Sequence, residues 1–133
     1  MKKFICLLCF LVGPLAFAST NGYELNINYS IDGRIIASPR VKIKEGARAL
    51  FTQVYKGKKN FVEVTATENP LDSDSKIHLA FVVGTFDRHG RKKIASNPSI
   101  TTFADEKAQV IERDDKGREI RALNVIAKRK QLN

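Results

Sequence analysis

From Tyr23 to Asp32 the chain reads YELNINYSID, with Tyr23, Leu25, Ile27, Tyr29 and Ile31 apolar and a polar residue at every step between them. Successive side chains on a strand point to opposite faces, so this period-two pattern predicts a strand with one buried face. Asp32-Gly33 follows, a pair suited to a two-residue hairpin turn. Arg34 to Lys44 (RIIASPRVKIK) returns as a second strand, interrupted at Pro39. Proline cannot donate to a ladder, which places this strand at a sheet edge or at a bulge. After a turn at Glu45-Gly46, Ala47 to Tyr55 and Phe61 to Thr67 form a second hairpin around Lys56-Gly57-Lys58-Lys59. Glu68 to Lys76 (ENPLDSDSK) is the most polar, turn-like stretch of the chain and reads as a linker, placed at 69–76.

The second half opens on Ile77 to Phe86 (IHLAFVVGTF), apolar enough for a central strand and half as long as a membrane span requires. A basic turn runs from Asp87 to Lys93, and a short extended piece, Ile100 to Phe103, follows Pro98. Ala108 to Arg113 and Ile120 to Lys128 flank a turn at Asp115-Lys116-Gly117. Residues 104–115 have a rival reading, because Ala104, Ala108 and Ile111 are spaced for one face of a short helix.

An internal duplication favours the strand. Gly33 onward and Gly90 onward both read Gly-Arg, then Ile-Ala-Ser, then Pro, an alternating stretch, a charged turn and Ala-x-apolar. Ile36-Ala37-Ser38-Pro39 aligns with Ile94-Ala95-Ser96-Asn97-Pro98 through one inserted residue, and Lys56-Gly57 with Lys116-Gly117. Across the halves the offset grows from 54 to 61 residues, as small insertions in turns would produce. Two repeats are then expected, about 23–68 and 77–128, and Ala108 to Arg113 becomes a strand. The expected fold is all-β: a β-sandwich or flattened barrel of about eight short antiparallel strands built from two duplicated halves.

The start of the chain sets the compartment. Lys2 and Lys3 precede an apolar run from Phe4 to Val12, Gly13-Pro14 breaks it, and Ala16-Phe17-Ala18 offers a small-x-small cleavage site. These are the three parts of a secretory signal peptide, so residues 1–18 are expected to be removed and the remainder to be periplasmic or secreted. Cys6 and Cys9 leave with the leader, and no thiol or disulfide chemistry remains. No transmembrane segment is expected after cleavage. Residues 19–133 hold 21 basic and 14 acidic residues, a net charge of +7. That balance favours an anionic partner.

The basic residues gather in three places: Lys56, Lys58 and Lys59; Arg88, His89, Arg91, Lys92 and Lys93; and the tail Lys128, Arg129 and Lys130. These are the candidate contacts with a partner, expected to be an envelope protein or an anionic surface of lipid headgroups or glycan. Nucleic acid is not expected, given export and the lack of an aromatic-rich basic stripe. No catalytic residue is indicated: the serines lack a G-x-S-x-G context, and no carboxylate pair stands apart from the solvated remainder. No metal or cofactor site is indicated either. His78 reads as packed or half-exposed in a central strand and His89 as solvated in a turn, neither with a second ligand nearby. The acidic run from Asp72 lacks the glycine and the final glutamate of a calcium loop.

One segment, residues 36–51, resembles a known family. Ile36-Ala37-Ser38-Pro39-Arg40-Val41, a short gap, and Glu45-Gly46-x-x-Ala49 resemble a hairpin stretch of bacterial outer-membrane secretins. The resemblance implies shared hairpin geometry or a link to envelope secretion systems; the chain is far shorter than a secretin and lacks its ring domains. The function expected from all of this is a non-catalytic exported binding module for a protein or anionic envelope partner. The alternative is a structural or accessory subunit of an envelope or secretion complex.

Overall fold

A computed structural model describes residues 20–68 and 76–132. The leader expected over 1–18 and nearly all of the linker expected over 69–76 lie outside the described residues. Among those residues there is no helix, and the chain forms ten strands. The alternating first segment becomes β1 (Thr20–Ile31), and Asp32-Gly33 turns it into β2 (Arg34–Ala37). Ser38-Pro39 separates β2 from β3 (Arg40–Lys44), after which come β4 (Arg48–Tyr55) and β5 (Lys58–Glu68). The second half repeats the order: β6 (Ile77–Phe86), β7 (Lys92–Ser96), β8 (Ser99–Thr102), β9 (Lys107–Arg113) and β10 (Glu119–Leu132). Residues 107–113 are strand, so the helical spacing of Ala104, Ala108 and Ile111 gives way to pairing with β10. The expected eight strands are ten because Pro39 and Pro98 each split one strand in two.

Two antiparallel sheets pack face to face as a sandwich, not a closed barrel. One has the order β2-β1-β10-β9, with β3 on the same side of β1 as β2; the other has the order β4-β5-β6-β7, with β8 beside β6. Each half therefore gives one hairpin to each sheet. Pro39 and Pro98 both lie on edges, as their missing N–H requires. Each break is bridged alike: Ile27 N–H donates to Pro39 O at 3.0 Å, and Phe81 N–H donates to Pro98 O at 2.9 Å. The chain crosses between sheets at two matching corners, where Gly46 N–H donates to Ala66 O and Asp105 N–H to Ala127 O.

The pairing registers place residues of the two halves at like positions. Ser30 faces Ile35 and Tyr29 faces Ala37; Gly84 faces Ile94 and Val83 faces Ser96. Ile35 thus takes the place of Ile94, and Pro39 that of Pro98, at a constant offset of 59. The Ile-Ala-Ser identity in the sequence sits one place out of this register.

The core lies between the sheets. Tyr23, Leu25, Ile27 and Tyr29 from β1 meet Val62, Val64 and Ala66 from β5, Leu79, Phe81 and Val83 from β6, and Leu123, Val125 and Ala127 from β10. Full burial of one large apolar side chain stabilises by about 1.5–3 kcal/mol. The alternation that marked β1 in the sequence is the means of delivering such side chains to a single face.

Candidate functional site

The pairing of β5 with β6 runs from Asn60↔Thr85 to Glu68↔Ile77. It therefore brings the β4–β5 turn beside the β6–β7 turn at one end of the second sheet. The first of these is Lys56-Gly57, with φ of 51° and 77°. Positive φ at both central residues defines the turn whose twist suits a two-residue hairpin, and glycine takes it without strain. The second turn is held by an aspartate. Asp87 Oδ1 accepts from the backbone N–H of His89 at 2.8 Å and of Arg91 at 2.9 Å, while Arg91 Nε lies 3.3 Å from Oδ2. These bonds, the Arg91 amide foremost, hold the Asp87 carboxyl below its ordinary pKa.

Between the turns runs a groove of about 700 Å³ lined by Gly57, Lys58, Lys59, Phe86, Asp87, Arg88 and Gly90. Phe86 supplies an apolar wall, with Lys59 Nζ 5.2 Å from the ring centroid and the Phe61 ring 5.3 Å from it. The aromatic face favours that ammonium electrostatically. Among the described residues, Lys58, Lys59 and Arg88 form no ion pair with an acid, and all three are exposed, Lys59 with its ammonium over the Phe86 ring. Lys56 lies 5.4 Å from the Tyr55 ring centroid on the same turn.

The other candidates differ in their surroundings. Arg91 is committed to Asp87, and Lys92 to Glu63, whose carboxylate also lies 3.5 Å from Arg48 Nε. Lys93 is exposed on the edge strand β7, and the His89 side chain is exposed in the turn. The tail stands at the far end of the sandwich. There Arg129 pairs with Glu68 at 2.8 Å, Lys130 Nζ lies 3.7 Å from Glu24, and Lys128 sits opposite Glu24 in the ladder. Two of the three basic groups read from the sequence thus converge, and the third is separate and largely matched by acids.

His78 lies on the outer face of β6, exposed, with Nδ1 3.2 Å from Thr101 Oγ1. It alternates with the buried Ile77 and Leu79, so it is more exposed than a packed strand residue would be. Among the described residues, no cluster of three His, Cys, Asp or Glu side chains is placed to hold a metal ion. No helix among them is long and apolar enough to cross a membrane.

Sequence reading missed the aromatic wall. Phe86 directly precedes the Asp87 turn, but Phe61 is the stronger surprise: it is fully buried and yet points away from the main core, since Val62 occupies the inner face. Its packing against Phe86 makes a small second cluster on the outside of the sheet. Compared with protein-family models, curated proteins and solved structures, the chain matches none.

Proposed function

We propose that this protein is an exported, non-catalytic binding module that holds an anionic group of an envelope partner in the groove between the β4–β5 and β6–β7 turns. The observation that carries this reading is the convergence of Lys58, Lys59 and Arg88 beside Phe86 with no acid paired to them. Cations on both sides of one groove suit an anion with several acceptor oxygens, and the Phe86 ring suits an apolar portion next to it. The leader supports an envelope or extracellular setting.

Vesicle sedimentation tests it, using the chain without its leader, residues 19–133, with phosphatidylglycerol vesicles and with uncharged phosphatidylcholine vesicles. Binding should occur on the anionic vesicles at low salt and weaken steeply as salt rises, because exposed charges are screened beyond about 10 Å at 0.1 M. Replacing Lys58, Lys59 and Arg88 together with Gln should weaken it by roughly tenfold or more, equivalent to about 1.4 kcal/mol. Replacing Lys128, Arg129 and Lys130 should change it little. Equal losses from both triple variants would mean that net charge, not the groove, does the binding.

A second reading, a subunit of an envelope assembly, is favoured by the outer face of the second sheet. Leu50, Val54 and Ile94 all lie there and are 50%, 61% and 64% exposed. They sit on its two edge strands, β4 and β7, and exposed apolar residues that share one sheet face can mark a contact surface. Sedimentation velocity over a hundredfold concentration range should then show self-association that Leu50→Lys with Ile94→Lys abolishes. A monomer at every concentration would remove the support for self-assembly.

A further inference from the structure

The registers that match the two halves also show where they differ. Tyr29 and Val83 occupy equivalent places on β1 and β6, each opposite the strand that breaks at a proline. Phe51 and Val110 are likewise equivalent: Phe51 pairs with Val62 next to β5's buried face, and Val110 pairs with Leu123 next to β10's. On one flank of the sandwich Tyr29 and Phe51 meet edge to face, with ring centroids 6.5 Å apart and planes at 77°. On the other flank the same two places hold only valines. A cleft of about 320 Å³ opens there, lined by Val83, Val110 and Leu123 with Tyr29 and Pro98 beside them.

The rim is polar and equally asymmetric. Glu112 and Arg121 form an ion pair across the β9–β10 ladder, and Ser96 Oγ donates to Glu112 Oε1 at 3.4 Å. At the matching places in the other half stand Gln53 and Asn60, uncharged. Ser96 ends β7 and Asn97 begins the break before β8, where the edge of the second sheet is discontinuous and the cleft meets solvent. Tyr29 is buried at its wall, and desolvation raises its pKa, so the phenol stays protonated.

We propose that this cleft receives an aromatic side chain from an extended segment of a partner polypeptide. The chain itself supplies the precedent, because a phenylalanine carried on a strand, Phe51, fills the matching flank against Tyr29. A ring entering the cleft meets apolar walls at Val83, Val110 and Leu123, while Ser96, Asn97 and the Glu112–Arg121 pair can hydrogen-bond a phenolic hydroxyl or the segment's backbone. This contact is independent of the basic groove: it depends on ring burial and should be insensitive to salt.

The test is a titration of the chain without its leader, residues 19–133, 15N-labelled and followed by amide NMR. The probes are N-acetyl-tyrosine amide, N-acetyl-phenylalanine amide, N-acetyl-leucine amide and N-acetyl-alanine amide. Both aromatic probes should give saturable shifts centred on Ser96, Val110 and Leu123, unchanged between low and high salt, with weaker binding of leucine and none of alanine. Val110→Phe should fill the cleft as Phe51 fills its counterpart and weaken aromatic binding by roughly tenfold or more, a loss of about 1.4 kcal/mol. If Val110→Phe does not fold, Val110→Leu gives a smaller loss in the same direction. Shifts that never saturate, that map elsewhere, that are equal for leucine, or that survive these substitutions would overturn the proposal.

Discussion

At the residue scale the tightest constraint lies at Gly84, in the strand that brings the two basic turns together. A Cβ on Gly84 would fall 2.1 Å from Lys93 O and 3.0 Å from the Ile94 Cα, both backbone atoms of the neighbouring strand. Gly84 also stands directly opposite the buried Phe61. The equivalent cross-strand pair in the first sheet is Ser30 with Ala122, two small residues that divide the space evenly. Here one partner takes all of it. Gly84→Ala is therefore expected to force β7 away from β6 at its bulge and to destabilise the fold by about 1–3 kcal/mol, the usual range for overpacking. Urea unfolding measures that difference, and Ser30→Ala, with no added bulk, should cost less. A Gly84→Ala protein as stable as its parent would mean that the β6–β7 approach is looser than the described geometry.

At the scale of elements, what the sequence made legible was local. The alternation from Tyr23 to Ile31 marked β1 because one buried face imposes period two, and Pro39 marked the interrupted edge strand because proline lacks a donor; β7, before Pro98, was not separately marked. β9 needed more than local pattern, since 107–113 is helix-compatible taken alone, and the comparison with β4 supplied it. The groove was not legible: Lys58 and Arg88 are thirty residues apart in the chain and meet only through the register of β5 with β6. The cleft was harder still, because it depends on the volume difference between Phe51 and Val110 at places the fold makes equivalent. A repeated turn also escaped notice. Asp87-x-x-Gly90-Arg91 and Asp114-x-x-Gly117-Arg118 are built alike, and Asp114 Oδ1 accepts from the backbone N–H of Lys116 and Arg118, both at 2.9 Å. Both aspartates have lowered pKa values, led by the bond from the arginine amide. The signal was present in DRHGR and DDKGR, but these turns are equivalent neither in repeat position nor in sheet, so aligning the halves passes over them.

At the scale of the whole molecule, the exchange of hairpins makes the central pair of the first sheet a contact between the two extremities of the described chain. β1 pairs with β10 from Thr20↔Leu132 to Ile31↔Arg121. Both ends of that pair carry a buried tyrosine. Tyr23 is desolvated and its hydroxyl donates to Glu45, whose other oxygen accepts from Glu68 N–H at 3.1 Å; Tyr29 is desolvated beside Arg121. Both phenols titrate above their ordinary value near 10 in the folded state. The consequence has a definite sign. Below about pH 10 both tyrosines are protonated in folded and unfolded chains alike, and their contribution is fully present. Above that, the unfolded chain releases protons that the folded one retains, so stability falls by up to about 1.4 kcal/mol per pH unit for each tyrosine until the folded phenol itself ionises. Urea midpoints measured from pH 8 to pH 12 should be flat at first and then decline, and the tyrosinate absorbance of Tyr23 and Tyr29 should rise together with the loss of structure. Tyr23→Phe removes one of the two linked protons, so its decline should be shallower even though its stability at pH 8 is lower through the loss of the Glu45 bond. An unchanged slope in Tyr23→Phe would show that Tyr23 ionises within the fold, and that the carboxylate and β1–β10 pairing around it do not hold its proton.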